Sequence, residues 1–382
     1  MLDALTLRNF KSLQNLRAPF GKLTILAGLN GSGKSSILQA IALLKQSLDV
    51  TPDGSELFLR GPLVQLGRTE DVVFEGAHTD ELSIGFEIDK TPLTWNCDAP
   101  PEADTLKARF KGDTSLLQGI FAGFQFIQAD RMTPALQYMQ AGTVDRHSGS
   151  LGSHGEFTVD FLSRNKELKI SDRRRYPIDR LVNKQEAAHH RSIAPTSYLL
   201  DAAASWLQLL SPGVRPLAEQ IDVAESASLR FEYKGYKEIQ RDISSRRHRP
   251  SHVGFGLTYS LPIIIACLAA PVGSLVLLEN PEAHLHPKGQ LALGLLLALC
   301  ANDGVQIIVE THSDHLLNGV RIAAKQKDVV ANDVSTLFFT RDIETGVTNI
   351  VAPMLLDNGR FNSWPVGFFD EWGNALDKLL ED

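Results

Sequence analysis

The feature that most constrains this chain is the run GLNGSGKS at positions 28–35, which matches the pattern G-x-x-x-x-G-K-[S/T] in full. A short apolar segment, 23–27, precedes the run, and apolar residues recur at helical spacing over 35–44 after it. This order predicts a strand, a glycine-rich turn and a helix. We therefore expect an α/β fold built around a phosphate-binding loop.

The loop contains the residue types that bind the phosphates of a nucleotide. Glycines allow backbone N–H groups to point inward, and the following helix directs its positive end at the anion. The Lys34 ammonium can reach the β- and γ-phosphates, and the Ser35 hydroxyl can ligate Mg²⁺. The residues predicted to bind ATP are Asn30, Gly31, Ser32, Gly33, Lys34, Ser35 and Ser36.

A second apolar segment, 274–278, runs directly into Glu279-Asn280-Pro281-Glu282. An apolar strand that ends in an acid is the Walker B arrangement, which holds Mg²⁺ or its water beside a phosphate loop. The pattern is weak alone, because many buried strands end in an acid. After a complete phosphate loop it predicts a Walker B strand whose acid is Glu279.

The composition fits a folded protein of a reducing compartment. Of the 382 residues, 43% are hydrophobic and 22% are charged, and the net charge of −7 excludes a basic coat over the whole surface. The three cysteines form no C-x-x-C pair, and the N-terminus lacks a signal-peptide pattern. The longest apolar runs are shorter than the ~18–20 residues of a membrane span. We expect a cytoplasmic protein.

The residue pattern divides the chain into four segments. Alternating apolar residues over 61–126, including the run 124–127, predict antiparallel strands. Glycine, serine, histidine and arginine then become frequent, which indicates an inserted arm, before an α/β pattern returns. The predicted segments are the first half of a nucleotide-binding head (1–135), the arm (136–250), the second half (251–330) and a small C-terminal domain (331–382). Helices are predicted over 197–210, 257–270, 289–300, 314–323 and 374–380, and strands over 228–233, 274–278 and 306–309.

Three further motifs give the chain a family resemblance. They are NFKS at 9–12, PEAHLHP at 281–287 and THS at 311–313. Together with the phosphate loop they resemble the ABC-class ATPases of the SMC, RecF and OLD-like group. VGFG at 253–256 stands where that class has its signature, and WPVGFFDE at 364–371 resembles the tail domain of a bacterial subgroup.

The resemblance implies an ABC-type P-loop ATPase head. Such a head has a mixed sheet core and an antiparallel β subdomain, here with an inserted helical or irregular arm and a small C-terminal domain. Two heads dimerise face to face in this class and enclose two ATP molecules. Gly254 and Gly256 would then contact the γ-phosphate of the ATP held by the other subunit. The structural alternative is a helix-entry turn that needs positive φ.

The resemblance also implies roles for single side chains. His312 is similar to the switch histidine that senses the γ-phosphate. Gln128, which follows the 124–127 run, is the candidate for the glutamine that links the metal to the arm, with Gln65 as a rival. The implied Mg²⁺ ligands are Ser35, Glu279 and Gln128.

One departure from the family bears on catalysis. Where the family commonly has Asp-Glu, this chain has Glu279-Asn280. An amide cannot accept a proton from water at neutral pH, so Asn280 could only orient the water. Either Glu282 or another group is the base, or hydrolysis is slow and the protein acts as an ATP-gated switch. The candidate catalytic residues are Glu279, Asn280, Glu282 and His312.

Two basic clusters lie in the arm, Arg173-Arg174-Arg175 and a second that includes Arg246 and Arg247. They predict non-specific DNA contact, with a solvated surface or a protein contact as an equal alternative. The stretch between Gln128 and Gly254 is too short and too rich in proline for the long coiled coil of true SMC proteins. No fused nuclease domain is expected either.

The leading function prediction is a homodimerising ABC/SMC-like ATPase that couples ATP to a DNA-related or effector-protein task. The expected setting is bacterial genome maintenance or anti-phage defence, with a nuclease or other effector on a separate chain. The alternative is an ATP-gated, non-hydrolysing scaffold that regulates a partner protein. A small-molecule kinase is disfavoured, because no acceptor-site motif accompanies the phosphate loop.

Overall fold

The structure is a computed structural model that describes residues 1–178, 184–234 and 246–380. These residues form two compact units. Unit 1 comprises Met1–Phe121, Gln306–Asp314 and Ala324–Asp382, and unit 2 comprises Ala122–Val305 and His315–Ala323. None of the helices in the described ranges is both long enough and apolar enough to cross a membrane.

The described strands, in chain order, are β1 (Ala4–Phe10), β2 (Leu13–Pro19), β3 (Leu23–Gly28), β4 (Glu56–Phe58), β5 (Glu81–Ile88), β6 (Thr91–Asp98), β7 (Thr105–Lys111), β8 (Gln125–Ile127), β9 (Tyr138–Met139), β10 (Val214–Ile221), β11 (Ser226–Tyr233), β12 (Leu275–Glu279), β13 (Gln306–Glu310), β14 (Val334–Arg341) and β15 (Thr348–Val351). The described α-helices are α1 (Lys34–Val50), α2 (Thr69–Val72), α3 (Ser115–Phe121), α4 (Thr143–Ser148), α5 (Thr158–Arg164), α6 (Lys184–Ile193), α7 (Leu199–Leu207), α8 (Phe255–Ala269), α9 (Pro287–Asn302), α10 (Asp314–Lys325) and α11 (Glu371–Leu380).

Unit 1 contains an antiparallel sheet with the strand order β2-β1-β5-β6-β7-β4. Along β5 the buried side chains of Leu82, Ile84 and Phe86 recur at every second position. This period of two is typical of a strand that is covered on one face. The predicted antiparallel β subdomain is therefore confirmed.

Strand β3 lies between two parallel neighbours in unit 1. Ile25 of β3 stands opposite Thr336 of β14 and Val309 of β13, and β15 extends this group as an antiparallel neighbour of β14. The residues of β3 from Leu23 to Ala27 are fully buried, as expected for a strand covered on both faces. Because β3 and β13 run in the same direction, the loops that follow them leave at the same edge of the sheet.

Unit 2 contains the antiparallel sheet β10-β11-β9 and the parallel pair of β8 and β12. The prediction that 124–127 belongs with the antiparallel strands is wrong, since Ile127 of β8 stands opposite Leu278 in a parallel register. All three residues of β8 are buried rather than alternating, which is the burial pattern of a parallel strand. This register sets Gln128 and Glu279 at adjacent strand ends.

Helix α8 forms the core of unit 2. Every residue from Leu257 to Leu268 is buried, and a helix that is apolar on all sides is expected in a core. Its C-terminal carbonyl oxygens, including those of Leu268 and Ala270, accept hydrogen bonds from Arg174. Its N-terminal end is preceded by Gly254, one of the two signature glycines.

The other predicted elements are confirmed, with shifts of a few residues at their ends. The strand and helix predicted around the glycine-rich turn correspond to β3 and α1. The later predicted helices correspond to α7, α8, α9, α10 and α11, and the later predicted strands to β11, β12 and β13. Units 1 and 2 are defined by packing, and each combines stretches that are distant in sequence. They do not test the division of the chain into four consecutive segments, which stays a prediction.

Candidate functional site

The phosphate loop of unit 1 is held in one conformation by its surroundings. Gly28 has a φ of +144°, and a Cβ atom there would lie 2.4 Å from the carbonyl oxygen of Phe339. Gly33 has a φ of +97°, and a Cβ atom there would lie 2.9 Å from the hydroxyl oxygens of Ser12 and Thr348. Both positions therefore require glycine.

The N-terminus of helix α1 has the features of an anion-binding site. Among the described side chains none caps it, and its first turn contains no acid. Its first N–H groups and its dipole therefore favour a negatively charged ligand. The buried Ser32 hydroxyl has no hydrogen-bond partner within the described residues. A phosphate oxygen would satisfy these donors, so the loop fits the phosphates of a nucleotide.

Lys34 is the first residue of α1 and is buried, with 3% of its surface exposed. Its ammonium donates hydrogen bonds to the carbonyl oxygens of Gly28 (3.1 Å) and Leu29 (2.8 Å). It lies 3.7 Å from Glu310 Oε1, which is an ion pair but too long for a hydrogen bond. Lysine is rarely buried unless it is paired, and here the Glu310 carboxylate is the ion partner of the buried ammonium.

Glu310 is a site residue that sequence reasoning missed. It ends β13, is 5% exposed, and its Oε2 atom has no hydrogen-bond partner in the described part of the chain. Burial raises the pKa of its carboxyl above the ordinary value, while hydrogen bonding from Ser35 and the charge of Lys34 oppose that shift. A glutamate at the end of an otherwise apolar strand was the sequence signal that could have identified it.

Two hydroxyls far apart in sequence support the loop from outside. The Thr348 hydroxyl lies 2.9 Å from the carbonyl oxygen of Ser32 and 2.8 Å from the hydroxyl of Ser12. A hydroxyl has one proton, so the Thr348 hydroxyl can donate to Ser32 and accept from Ser12. The NFKS motif at 9–12 is thus connected to the phosphate loop through its last residue, Ser12, and the Thr348 hydroxyl.

His312 follows β13 in the same unit, and its side chain is exposed. Partial desolvation lowers the pKa of His312 below its usual value, and the positive charge of Lys34 lowers it further. Its imidazole is therefore neutral near pH 7, with one nitrogen that donates and one that accepts. Unit 1 thus brings the predicted residues Lys34, Ser35 and His312 to one sheet edge.

Unit 2 brings a second group of predicted residues together. Glu279 ends β12, and its carboxylate accepts a hydrogen bond of 3.1 Å from the backbone N–H of Ala129. Gln128 follows the neighbouring strand end and is adjacent to Ala129 in the chain. The rival Gln65 instead lies in an exposed loop of unit 1, where its amide donates to the carbonyl oxygen of Gly61.

Asn280 has a backbone conformation that explains its residue type. Its φ is +42°, in the left-handed region where asparagine, aspartate and glycine cost least. Its Oδ1 atom is buried and has no hydrogen-bond partner among the described residues. The next acid, Glu282, is also buried. Sequence reasoning missed Arg131, whose buried guanidinium donates to the carbonyl oxygens of both Glu279 and Asn280.

The two glycines predicted to form the signature differ in their surroundings. Gly254 caps α8 with a φ of −58°, is exposed, and a Cβ atom there would meet nothing within 4 Å. At Gly256 a Cβ atom would lie 2.9 Å from the carbonyl oxygen of His284. Neither has positive φ, so the alternative of a turn that requires it is wrong. Packing requires glycine at 256 but not at 254.

The basic clusters of the arm are only partly available to a ligand. The prediction that Arg174 contacts DNA is wrong, because this side chain is buried and forms a 2.8 Å ion pair with Asp303. Arg173 is exposed, and Arg175 lies 3.5 Å from Asp172. Arg246 and Arg247 are exposed, and Arg247 forms an ion pair of 3.1 Å with Glu219.

Family models match three stretches of the chain. Residues 1–91 match "AAA ATPase domain", residues 152–318 match "AAA domain, putative AbiEii toxin, Type IV TA system", and residues 329–379 match "Protein of unknown function (DUF3696)". The first match contains the phosphate loop, and the second contains the strand ends of β12 and β13. The third contains Thr348.

Individual proteins extend these matches. An OLD nuclease from Thermus scotoductus is 22% identical over 393 residues, covering 95% of this chain and 69% of that protein. A solved SMC head bound to the C-winged helix domain of ScpA is 16% identical with a TM-score of 0.50, covering 93% of this chain and 98% of that one. The SMC head domain from Thermotoga maritima has 15% identity and a TM-score of 0.45, covering 92% and 98%.

At such low identity the first of the two SMC heads shows a shared fold, which confirms the predicted ABC-type P-loop head with its mixed sheet. The two AAA family models and the OLD nuclease independently support an ATPase-type domain with this fold. Taken together, the family models, the OLD nuclease and the SMC head support an ABC-class P-loop ATPase of the SMC and OLD-like group.

Proposed function

We propose that this protein binds ATP with Mg²⁺ in the phosphate loop of unit 1 and hydrolyses it. The observation that carries the proposal is the buried ammonium of Lys34 at the uncapped N-terminus of α1. A buried cation at a helix N-terminus without a side-chain cap is suited to a ligand with several negative charges. Residues Asn30 to Ser36 are the proposed phosphate-binding residues.

The proposed Mg²⁺ ligands are Ser35, Glu279 and Gln128. Hydroxyl, carboxylate and amide oxygens are the hard donors that Mg²⁺ prefers. The side-by-side strand ends of Gln128 and Glu279 within unit 2 support their shared assignment. When bound, Mg²⁺ would neutralise charge on the β- and γ-phosphates.

The protein side chains have separate proposed roles in hydrolysis. Lys34 exchanges its backbone carbonyl partners for phosphate oxygens, and the neutral imidazole of His312 hydrogen-bonds the γ-phosphate or the attacking water. Asn280 orients that water through its amide. Glu282 is buried and lies two positions after Asn280 in the sequence. It is the proposed proton acceptor if turnover requires one.

We further propose that two copies form a face-to-face dimer around ATP. The N-terminus of α8 supports this, because Gly254 is exposed, no described side chain caps the helix and its first turn contains no acid. Such an end can contact the γ-phosphate held by a second subunit. The open space at Gly254 leaves room for that approach.

The proposed biological setting is the cytoplasm of a bacterium, in genome maintenance or anti-phage defence. Similarity to an OLD nuclease supports a task that involves nucleic acid. We place the effector on a separate chain as part of the same proposal. Non-specific DNA contact is proposed for Arg173, Arg175, Arg246 and Arg247. A second candidate function, an ATP-gated scaffold that does not hydrolyse ATP, is favoured by the amide at Asn280.

Phosphate release and light scattering together test the proposed function. The wild type should release phosphate with Mg²⁺-ATP and form dimers when ATP is bound. Glu279→Gln should form the dimer but stop turnover, because the acid proposed to organise Mg²⁺ is lost. ATP-induced dimers without any phosphate release by the wild type would favour the scaffold, and absence of ATP binding would contradict both.

A further inference from the structure

Arg131 connects two strand ends of unit 2 through one buried guanidinium. Its Nη1 donates to the carbonyl oxygens of Gln128 (3.1 Å) and Glu279 (2.7 Å), and its Nη2 donates to that of Asn280 (2.9 Å). Only 2% of the Arg131 surface is exposed. The side chain therefore fixes the loop after β8 to the acidic end of β12.

The same guanidinium also contacts helix α8. It stacks on Tyr259, with 4.2 Å between the guanidinium carbon and the ring centroid, and the Tyr259 hydroxyl donates to the carbonyl oxygen of Ala129. The Tyr259 ring also packs edge-on against the exposed His284, with 4.8 Å between centroids. Arg131 thus links both strand ends to the helix that begins after Gly254.

The loop that Arg131 holds in turn orients the Glu279 carboxylate. The backbone N–H of Ala129 donates to Glu279 Oε2 at 3.1 Å. A shift of Ala129 would remove this hydrogen bond, and with it one restraint on the orientation of the carboxylate. Arg131 contacts the backbone of Glu279 and Asn280 but touches neither side chain in these hydrogen bonds.

Asn280 is the second residue that this contact stabilises. Its left-handed conformation, with φ of +42°, costs some energy even for asparagine and persists because neighbouring groups hold it. The hydrogen bond from Arg131 Nη2 to its carbonyl oxygen is such a restraint. Without it, the peptide after Glu279 could relax to a right-handed or extended conformation, and the Asn280 amide would point elsewhere.

We propose that Arg131 is a positioning residue, which fixes the Glu279 carboxylate and the Asn280 amide in the geometry needed for ATP hydrolysis. This rests on the proposed function. A planar fork that donates to three carbonyl oxygens while stacking on an aromatic ring is a geometry that lysine cannot reproduce. Although burial lowers the pKa of Arg131 to about 10, the group stays charged at neutral pH.

The chain offers a matched control for the test. Arg174 is also a buried arginine of unit 2 that donates to backbone carbonyl oxygens, but at the opposite end of α8 and paired with Asp303. Loss of either arginine should destabilise the unit. Only loss of Arg131 should disturb Glu279 and Asn280.

The experiment compares Arg131→Gln, Arg131→Lys and Arg174→Gln in the full chain. Amide hydrogen exchange at Ala129, measured in the nucleotide-free protein well below the melting temperature, should accelerate in both Arg131 variants and stay unchanged in Arg174→Gln. In steady-state ATP hydrolysis, kcat should fall by roughly 10- to 100-fold in Arg131→Gln, the scale of a displaced catalytic group, with less loss in Arg131→Lys. KM should change less than threefold, an order-of-magnitude bound that follows because the phosphate loop binds the nucleotide.

The outcomes separate this proposal from the proposed function. Unchanged exchange at Ala129 in Arg131→Gln overturns the positioning role, whether or not the wild type hydrolyses ATP. Equal losses of kcat in Arg131→Gln and Arg174→Gln also overturn it, because the effect would then be general destabilisation. A wild type without ATPase activity, combined with faster exchange at Ala129 in the Arg131 variants, contradicts hydrolysis but supports the restraint on Glu279.

Discussion

The ammonium of Lys34 lies 3.7 Å from the Glu310 carboxylate, and both side chains are buried. Lys34 is the loop cation that we propose to contact the phosphates of ATP. Glu310 balances the charge of Lys34 in the empty loop, and under this proposal it would repel the phosphates of a bound nucleotide. We therefore expect the pair to stabilise the empty loop and to influence its affinity for nucleotide.

Replacing this carboxylate should have opposite effects on binding and on stability. Glu310→Gln should tighten binding of ATP without Mg²⁺ by about tenfold, because a buried negative charge near the phosphates is removed. The free energy of unfolding of the empty protein should fall by about 1–3 kcal/mol, since Lys34 stays buried without its ion partner. Calorimetric titration in EDTA and urea unfolding measure the two effects.

The control for that substitution is Glu81→Gln. Glu81 is an exposed acid of unit 1 that pairs with the exposed Arg109 at 3.2 Å, so neither quantity should change measurably. Weaker Mg²⁺-free binding in Glu310→Gln would contradict repulsion between Glu310 and the phosphates.

The pKa of His312 should report the charge of Lys34. Desolvation and the Lys34 ammonium both lower this pKa. Lys34→Ala removes a nearby positive charge that disfavours the imidazolium, so the pKa of His312 should rise toward its ordinary value. NMR titration of the nucleotide-free protein measures it. The pKa of His190, which is lowered mainly by burial, should not move, and an unchanged His312 would show that the two groups are not coupled.

The left-handed conformation of Asn280 determines which substitution can add a base. Aspartate tolerates φ of +42° better than glutamate does, so Asn280→Asp should accelerate phosphate release and Asn280→Glu should gain less. General-base catalysis is typically worth ~10²–10⁴-fold, but the gain here should be smaller because the new carboxylate is desolvated beside the phosphates. Single-turnover phosphate release is the measurement.

Glu282→Gln completes that comparison. If Asn280→Asp is slower than the wild type while Glu282→Gln abolishes turnover, Glu282 or its surroundings already supply the base. The scaffold alternative is then excluded, since the wild type has a working proton acceptor.

The dimer proposal can be tested at Gly254 without disturbing the fold. Gly254→Gln adds a side chain into open space, so the monomer should fold and bind ATP normally. ATP-induced dimers and hydrolysis should both be lost, because the added side chain blocks the approach of a second subunit. Light scattering and phosphate release measure these effects. Gly119→Gln, which also enters open space, is the control and should behave as wild type.

Gly256 is unsuitable for the same test. A Cβ atom there would lie 2.9 Å from the carbonyl oxygen of His284, so Gly256→Gln would disturb unit 2 whatever its role at the dimer face. A dimer that persists with full activity in Gly254→Gln would contradict the face-to-face arrangement.

Local patterns were sufficient to predict much of this site. The phosphate loop and the strands before Glu279 and His312 were predictable, because each combines a buried apolar run with a polar end within a few residues. The left-handed backbone conformation of Asn280 could not be predicted, because the asparagine itself is the only sequence signal for it.

The missed residues depend on pairings between distant segments. Glu310 meets Lys34 because β13 and β3 are parallel neighbours, and Thr348 reaches Ser12 through the pairing of β15 with β14. The same reason explains the error at Arg174, which looks like part of an exposed basic cluster but pairs with Asp303. Sequence clusters do not show which member points into the core.

ATP affinity in two variants, Lys34→Ala and Lys34→Ala/Glu310→Gln, tests whether the loop at 28–35 is the ATP site. The single change leaves Glu310 buried without its cation, so it should lower stability as well as ATP binding. The double variant should recover stability but still bind Mg²⁺-ATP at least about tenfold more weakly than the wild type, because the phosphate contact is gone. Wild-type affinity by calorimetry in the refolded double variant would contradict the assignment of this loop as the ATP site.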